Sequence, residues 1–239
     1  MEPTLLIAML LIFIGAFIQT TTGFGLAVVV CPLLILFAPE YIPGPIIVVG
    51  LFLASINVSK YRENVSLSGL KLTVIGLLPG TAVGALLLFS IDVTELSLFL
   101  GVIVLLAVAA SLLPYKIELT PNRLMLAGFL SGFLGTSSGI GGPPMALLLQ
   151  HQKMHLIRAN LAAFFVVSSI LALLIQIPIG YMSLQHLYLA LPLIPASYLG
   201  YRIAILFMHR ISTKMIRAIS LVLCSVAGFG AIYSSLMSI

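Results

Sequence analysis

Apolar stretches separated by charges and turn residues divide the chain into ten pieces, roughly 5–22, 26–38, 44–59, 69–90, 95–113, 123–135, 142–151, 157–178, 185–206 and 214–237. A helix rises about 1.5 Å per residue and needs about 20 apolar residues to cross a hydrocarbon core. Seven pieces approach that length, whereas 26–38, 123–135 and 142–151 are too short. The order is five pieces followed by five more, with the short ones among the first two of each set.

Internal similarity gives the same division. Shifting the sequence by 116 residues lays TTTGFG at 20–25 over TSSGIG at 136–141, Pro79 over Pro195, Gly84 over Gly200, and Phe13 and Phe17 over Phe129 and Phe133, without a gap. A polar-glycine cluster, a proline and a glycine sharing one offset point to duplication. The chain reads as one integral membrane domain of two repeats, 1–115 and 121–239.

Composition removes the soluble classes. Of 239 residues, 61% are hydrophobic and 7% charged, where soluble domains carry about a quarter charged residues. Met1 to Thr4 contains no Lys or Arg and no A-x-A site follows, so the first segment is expected to stay in the protein. Eleven Lys and Arg against six Asp and Glu report loop topology in such a chain, and nucleic-acid binding has no support. Cys31 and Cys224 lie inside apolar pieces, and His151, His155, His186 and His209 near segment ends share no ligand spacing, so neither a metal nor a cofactor is expected.

Charge then orients the pieces. Basic residues collect at Lys60, Arg62 and Lys71, at Lys116 and Arg123, at Lys153 and Arg158, and at Arg210, Lys214 and Arg217. The connections 39–43, 91–95 and 179–184 and both chain ends lack Lys and Arg and hold Glu2, Glu40, Asp92 and Glu95. The positive-inside rule places the first set in the cytoplasm and the second outside, both termini included. The third, fourth and fifth pieces of each half then cross, and the first two enter and return on one side. Three crossings are an odd number, so the halves are inverted. The expected fold is an all-α polytopic membrane protein of two inverted repeats, each a broken or re-entrant helical hairpin plus three transmembrane helices.

The candidate site lies where the hairpins bend. Helices starting after Gly25 and Gly142 direct unpaired N–H groups and the positive end of their dipole at the bend. Gly23, Gly25, Gly139, Gly141 and Gly142 let backbone and ligand approach closely. Gln19 and the hydroxyls of Thr20, Thr21, Thr22, Thr136, Ser137 and Ser138 supply further donors. Two tips entering from opposite faces meet in this reading near the bilayer midplane, as in inverted-repeat carriers. All six carboxylates fall in loops or at segment ends, which argues against a cation site and for an anion.

Other residues have weaker roles. Arg158, with Asn160 beside it, is a candidate for an anion entrance or for a positive-inside anchor, and Arg202 for a snorkelling contact. Gln19, Asn57 and Gln176 are polar within apolar pieces, where hydrogen bonds between helices are the default. Pro79 and Pro195 are expected to kink corresponding spans. Gly135 to Gly139 matches G-x-S-x-G, but without a preceding strand or a buried acid it is not expected to act as a nucleophile elbow.

GAFIQTTTGFG over 15–25, running into Cys31 and Pro32, and GFLGTSSGIGGPP over 132–144 resemble the TauE/SafE sulfite exporter family of bacterial membrane permeases. The likeness covers essentially the whole chain. It implies a secondary transporter of sulfite, a sulfonate or a related anion in a bacterial inner membrane, with an anion channel as the nearest alternative and a membrane enzyme or assembly subunit as a distant one. The implied partners are a small anion and the lipid bilayer; the coupling ion, proton or sodium, and the oligomeric state are not specified. The topology predicts that cysteines introduced at Lys60, Lys116, Lys153 and Lys214 react with an impermeant reagent only from the cytoplasmic face. Labelling from the outer face at any of them contradicts it.

Overall fold

The computed structural model describes residues 3–112, 117–208 and 213–237, and the regular elements among them are all helical. The first set is α1 (Pro3–Thr22), α2 (Leu26–Leu34), α3 (Gly44–Tyr61), α4 (Leu67–Ser90) and α5 (Val93–Leu112). The second is α6 (Pro121–Ser138), α7 (Gly142–Leu149), α8 (Met154–Gln176), α9 (Leu184–Ala190) with α10 (Leu193–Phe207), and α11 (Thr213–Met237). Lys116, His209, Arg210, both chain ends and the side chains of Lys214 and Arg217 lie outside the described residues.

Seven spans are long and apolar enough to cross a membrane: α1, α3, α4, α5, α8, α9 with α10, and α11. They coincide with the seven long pieces of the sequence. Their outward faces are apolar, with Leu86, Leu106, Val226 and Phe229 exposed, as lipid contact requires. The described carboxylates Glu40, Glu63, Asp92, Glu95 and Glu118 are all exposed. With 9 and 8 residues, α2 and α7 reach about half of a core thickness.

Two boundaries differ from the expectation. The short piece 123–135 belongs to an 18-residue helix, Pro121–Ser138, which runs on through the polar cluster, where Ser137 and Ser138 donate back to the carbonyls of Phe133 and Leu134. The span 185–206 is divided at Leu191 and Pro192, so Pro195 sits in the first turn of α10, where its missing N–H removes no helical bond. Pro79 lies within an uninterrupted α4.

Helices of one half pack on helices of the other. α4 lies along α6, as α10 lies along α1. Backbones touch there: a Cβ on Gly76, Gly80 or Gly84 would run into the carbonyls of Met125, Phe129 and Phe133, and one on Gly128 into that of Thr73. At the other contact, Gly200 faces the carbonyl of Phe13. Small residues drive association in lipid by such close approach. The two contacts are one turn out of register. Phe13 and Phe129 are 116 residues apart, but the glycines that meet them, Gly80 and Gly200, are 120 apart. The sequence match of Pro79 with Pro195 is therefore not the packing match.

Elsewhere α3 packs on α8 and α5 on α11, where Ser97 donates to the Ala231 carbonyl at 3.1 Å and Ser235 to that of Thr94 at 3.0 Å. Two buried clusters result. One is built mainly on α1, α2, α3, α5 and α10 and the other on α4, α6, α7 and α8, with Phe24 touching both. The first hairpin thus shares a core with α10, within the fourth span of the second set of five elements, and the second hairpin with α4, the fourth element of the first set.

Gly80→Val forces α4 off the Phe129 carbonyl. Overpacking of this kind costs about 1–3 kcal/mol and is expected to lower the unfolding temperature in detergent by about 3–10 °C. Gly50→Ala, inside α3 where a Cβ meets nothing within 4 Å, serves as the control and should not lower it, since alanine is the better helix former.

Candidate functional site

Both hairpins turn on glycines with positive φ: Gly23 at 96° and Gly25 at 130° between α1 and α2, and Gly139 at 79° between α6 and α7. L side chains rarely adopt this region. Gly23 N–H returns to the Gln19 carbonyl at 2.7 Å and Gly139 N–H to that of Gly135 at 3.0 Å, the same closure 116 residues apart. Gly141 is not left-handed. It is confined by space, since a Cβ there would sit 2.8 Å from the Ser131 carbonyl oxygen.

The clustered hydroxyls bend back onto their own helices. Thr21 donates to the carbonyls of Phe17 and Ile18, both at 2.9 Å, and Thr22 to that of Ile18 at 2.8 Å and that of Phe24 at 2.6 Å. Ser137 and Ser138 do the same at 2.7 and 2.6 Å, and Ser138 Oγ also accepts Ile140 N–H. Thr20 Oγ1 is buried without a partner, and the Thr136 side chain is likewise buried. The hydroxyls of Thr21, Thr22, Ser137 and Ser138 are thus occupied by helix-end carbonyls, and none of the six residues lines the cavity between the hairpins.

That cavity measures about 50 Å³ and is lined by Gln19, Gly25, Ala27 and Val28 of the first hairpin and by Gly135, Gly139, Gly141 and Gly142 of the second. Ile46, Ile47 and Gly50 of α3 and Phe165, Ser168 and Ser169 of α8 complete it. One water needs about 10–15 Å³ on this scale, so the space suits a small anion or several waters. Polar groups converge on it unevenly. Gln19 Oε1 accepts Leu26 N–H at 3.2 Å, and the next N–H groups of α2, those of Ala27 and Val28, have no intrahelical partner. In α7 the corresponding positions are Pro143 and Pro144, which have no N–H to offer.

Ser168 and Ser169 escaped the sequence reading. Serines elsewhere in the helices, such as Ser55, Ser59, Ser90 and Ser225, donate to the carbonyl four residues back. Ser168 and Ser169 make no such hydrogen bond among the described residues, and Ser168 is buried. Two adjacent serines in an apolar span were the available signal.

One helix serves both tips. Arg158, in the first turn and a half of α8, donates through Nε and Nη2 to the Thr21 carbonyl, the former at 2.9 Å. Gln176, the last residue of α8, donates to the Thr136 carbonyl at 2.9 Å, while its Oε1 is buried without a partner. These two residues lie about 27 Å apart along the helix axis, so the tips pass each other and the cavity lies between their flanks. A second cavity of about 10 Å³ is lined by Gln19, Gly23, Ala54, Asn57, Arg158 and Ala162. Gln19 faces both spaces. Asn160 instead accepts Ser66 N–H at 2.8 Å and donates to the Leu156 carbonyl, which ties the α3–α4 connection to α8. Arg202 is exposed on α10 and lines neither space. No group of His, Cys, Asp and Glu suited to a metal occurs among the described residues.

Comparison with known proteins gives one match: the family model described as sulfite exporter TauE/SafE aligns with residues 7–230. No curated protein and no solved structure matches. The geometry predicts that Gly139→Ala, whose Cβ has room at 3.5 Å from Cys31 Sγ, bears only the conformational cost of left-handed alanine, about 1–2 kcal/mol. Thermal unfolding should fall by about 2–8 °C; an unchanged midpoint contradicts the turn assignment.

Proposed function

The chain belongs to the sulfite exporter TauE/SafE family, and on that premise we propose that it is a secondary transporter of a small sulfur-containing anion, sulfite or a simple sulfonate, bound between the two hairpins. The observation that carries the reading is the pair of unpartnered hydroxyls, Ser168 and Ser169, facing the free N–H groups of α2 across a cavity without a carboxylate. Donors with no protein acceptor at membrane depth suit an oxyanion. A cation would find no acid there.

Alternating access follows in this proposal from two inverted repeats, 1–115 and 121–239, with both termini outside in a bacterial inner membrane. Its support is the repeated helix order, the similar bends and the reciprocal packing of α4 on α6 and α10 on α1. Each hairpin, with the opposite half's fourth span, moves as one body past the other, and the anion is exposed to one face at a time.

Purified protein in liposomes should show saturable sulfite uptake with counterflow. Conductance far above carrier turnover would make it a channel instead. Ser168→Ala should weaken sulfite binding about tenfold, the usual loss for a hydrogen bond to a charged ligand. Thr21→Val and Ser137→Ala, whose hydroxyls are bonded to helix carbonyls, should change it less than about threefold. The reverse ranking would move the site to the hydroxyl clusters.

A further inference from the structure

Arg158 is the buried charged side chain among the described residues, with 8% of its surface exposed. Guanidinium stays protonated in proteins, and every described carboxylate is exposed. The described ion pair, between Arg123 and Glu118, lies elsewhere. What faces Arg158 is the last turn of α1, where Nε and Nη2 converge on the Thr21 carbonyl. A helix C-terminus carries about half a negative charge. The compensation is therefore incomplete, and a buried cation held only by a carbonyl is costly.

Polar side chains share the small space beside Arg158. Asn57 on α3 is buried and ties its Nδ2 to the Leu53 carbonyl at 2.9 Å, and Gln19 lines both this space and the larger cavity. Yet the space is only about 10 Å³, room for about one water. An anion can reach the guanidinium only if the first hairpin's tip moves. Arg158 also holds that tip.

We propose that the bond from Arg158 to the Thr21 carbonyl is an anion-released latch: the transported anion, passing Gln19, takes over the guanidinium, and the tip of the first hairpin comes free of α8. Arg158 is thereby the residue that senses ligand charge and couples it to hairpin movement. The proposal rests on the anion-transport reading and adds to it a second binding position.

Hydrogen exchange of the full-length protein in nanodiscs tests it, with and without saturating sulfite, alongside sulfite binding by calorimetry. Sulfite should speed exchange of amides 19–25 in the unsubstituted protein, where a ligand that merely fills a cavity would slow it. Arg158→Gln should give that fast exchange without sulfite and weaken sulfite binding about tenfold or more. Arg158→Lys keeps the charge without the planar fork. It should retain sulfite binding better than Arg158→Gln, and it serves as the readout if Arg158→Gln fails to fold. Sulfite that binds while exchange at 19–25 slows or stays constant overturns the latch and leaves the transport reading intact. A protein that neither binds nor transports sulfite or a sulfonate overturns both.

Discussion

A backbone that stops being helical inside a bilayer leaves N–H and C=O groups that no water can satisfy. The helices of this chain break between α1 and α2 and between α6 and α7, at residues 23–25 and 139–141, and much of the interior is arranged around those four helix ends. The carboxyl ends of α1 and α6 are closed by their own threonines and serines and by α8, which sends Arg158 to one and Gln176 to the other. At the amino ends, Gln19 takes the first donor of α2, and Pro143 with Pro144 leaves α7 little to satisfy. The remaining donors at the start of α2 face the cavity. Ser168 and Ser169 line the same cavity, so donors from α2 and α8 share that space.

The scaffold around the site is built from contacts without side chains. Glycines at 76, 80, 84, 128 and 200 let helices of opposite halves touch backbone to backbone, a geometry that tolerates little sliding because carbonyls meet α-carbons directly. Each hairpin shares its core with a helix from the other repeat. The cavity and the smaller space at Arg158 lie where these units face each other and α8, the boundary at which relative movement would change access.

Much of this was legible in the sequence because the signals are local. Uninterrupted apolar runs located the seven spans, and paired glycines in polar clusters marked both bends, which positive φ requires at Gly23 and Gly139. The direction of the hydroxyls was not legible. A serine or threonine near a helix end can bond to the carbonyls of the preceding turn, as Thr21, Thr22, Ser137 and Ser138 do. Ser168 and Ser169 look like any serines in an apolar helix until their neighbours are known. The four-residue difference between the packing register of Gly200 and its sequence match is set by how α10 seats on α1. Arg158 reads in sequence as either an anion entrance or a positive-inside anchor; α8 turns it inward, against the carboxyl end of α1.

We propose that an anion occupies the space between the hairpins, against the start of α2 and the two serines of α8. Anomalous diffraction from crystals equilibrated with selenite, a heavier analogue of sulfite, locates it directly. A selenium peak within hydrogen-bonding reach of Ser168, Ser169 and the N–H groups of Ala27 and Val28 is the predicted result. A peak confined to the protein surface, in crystals of protein shown to bind selenite, would contradict the account.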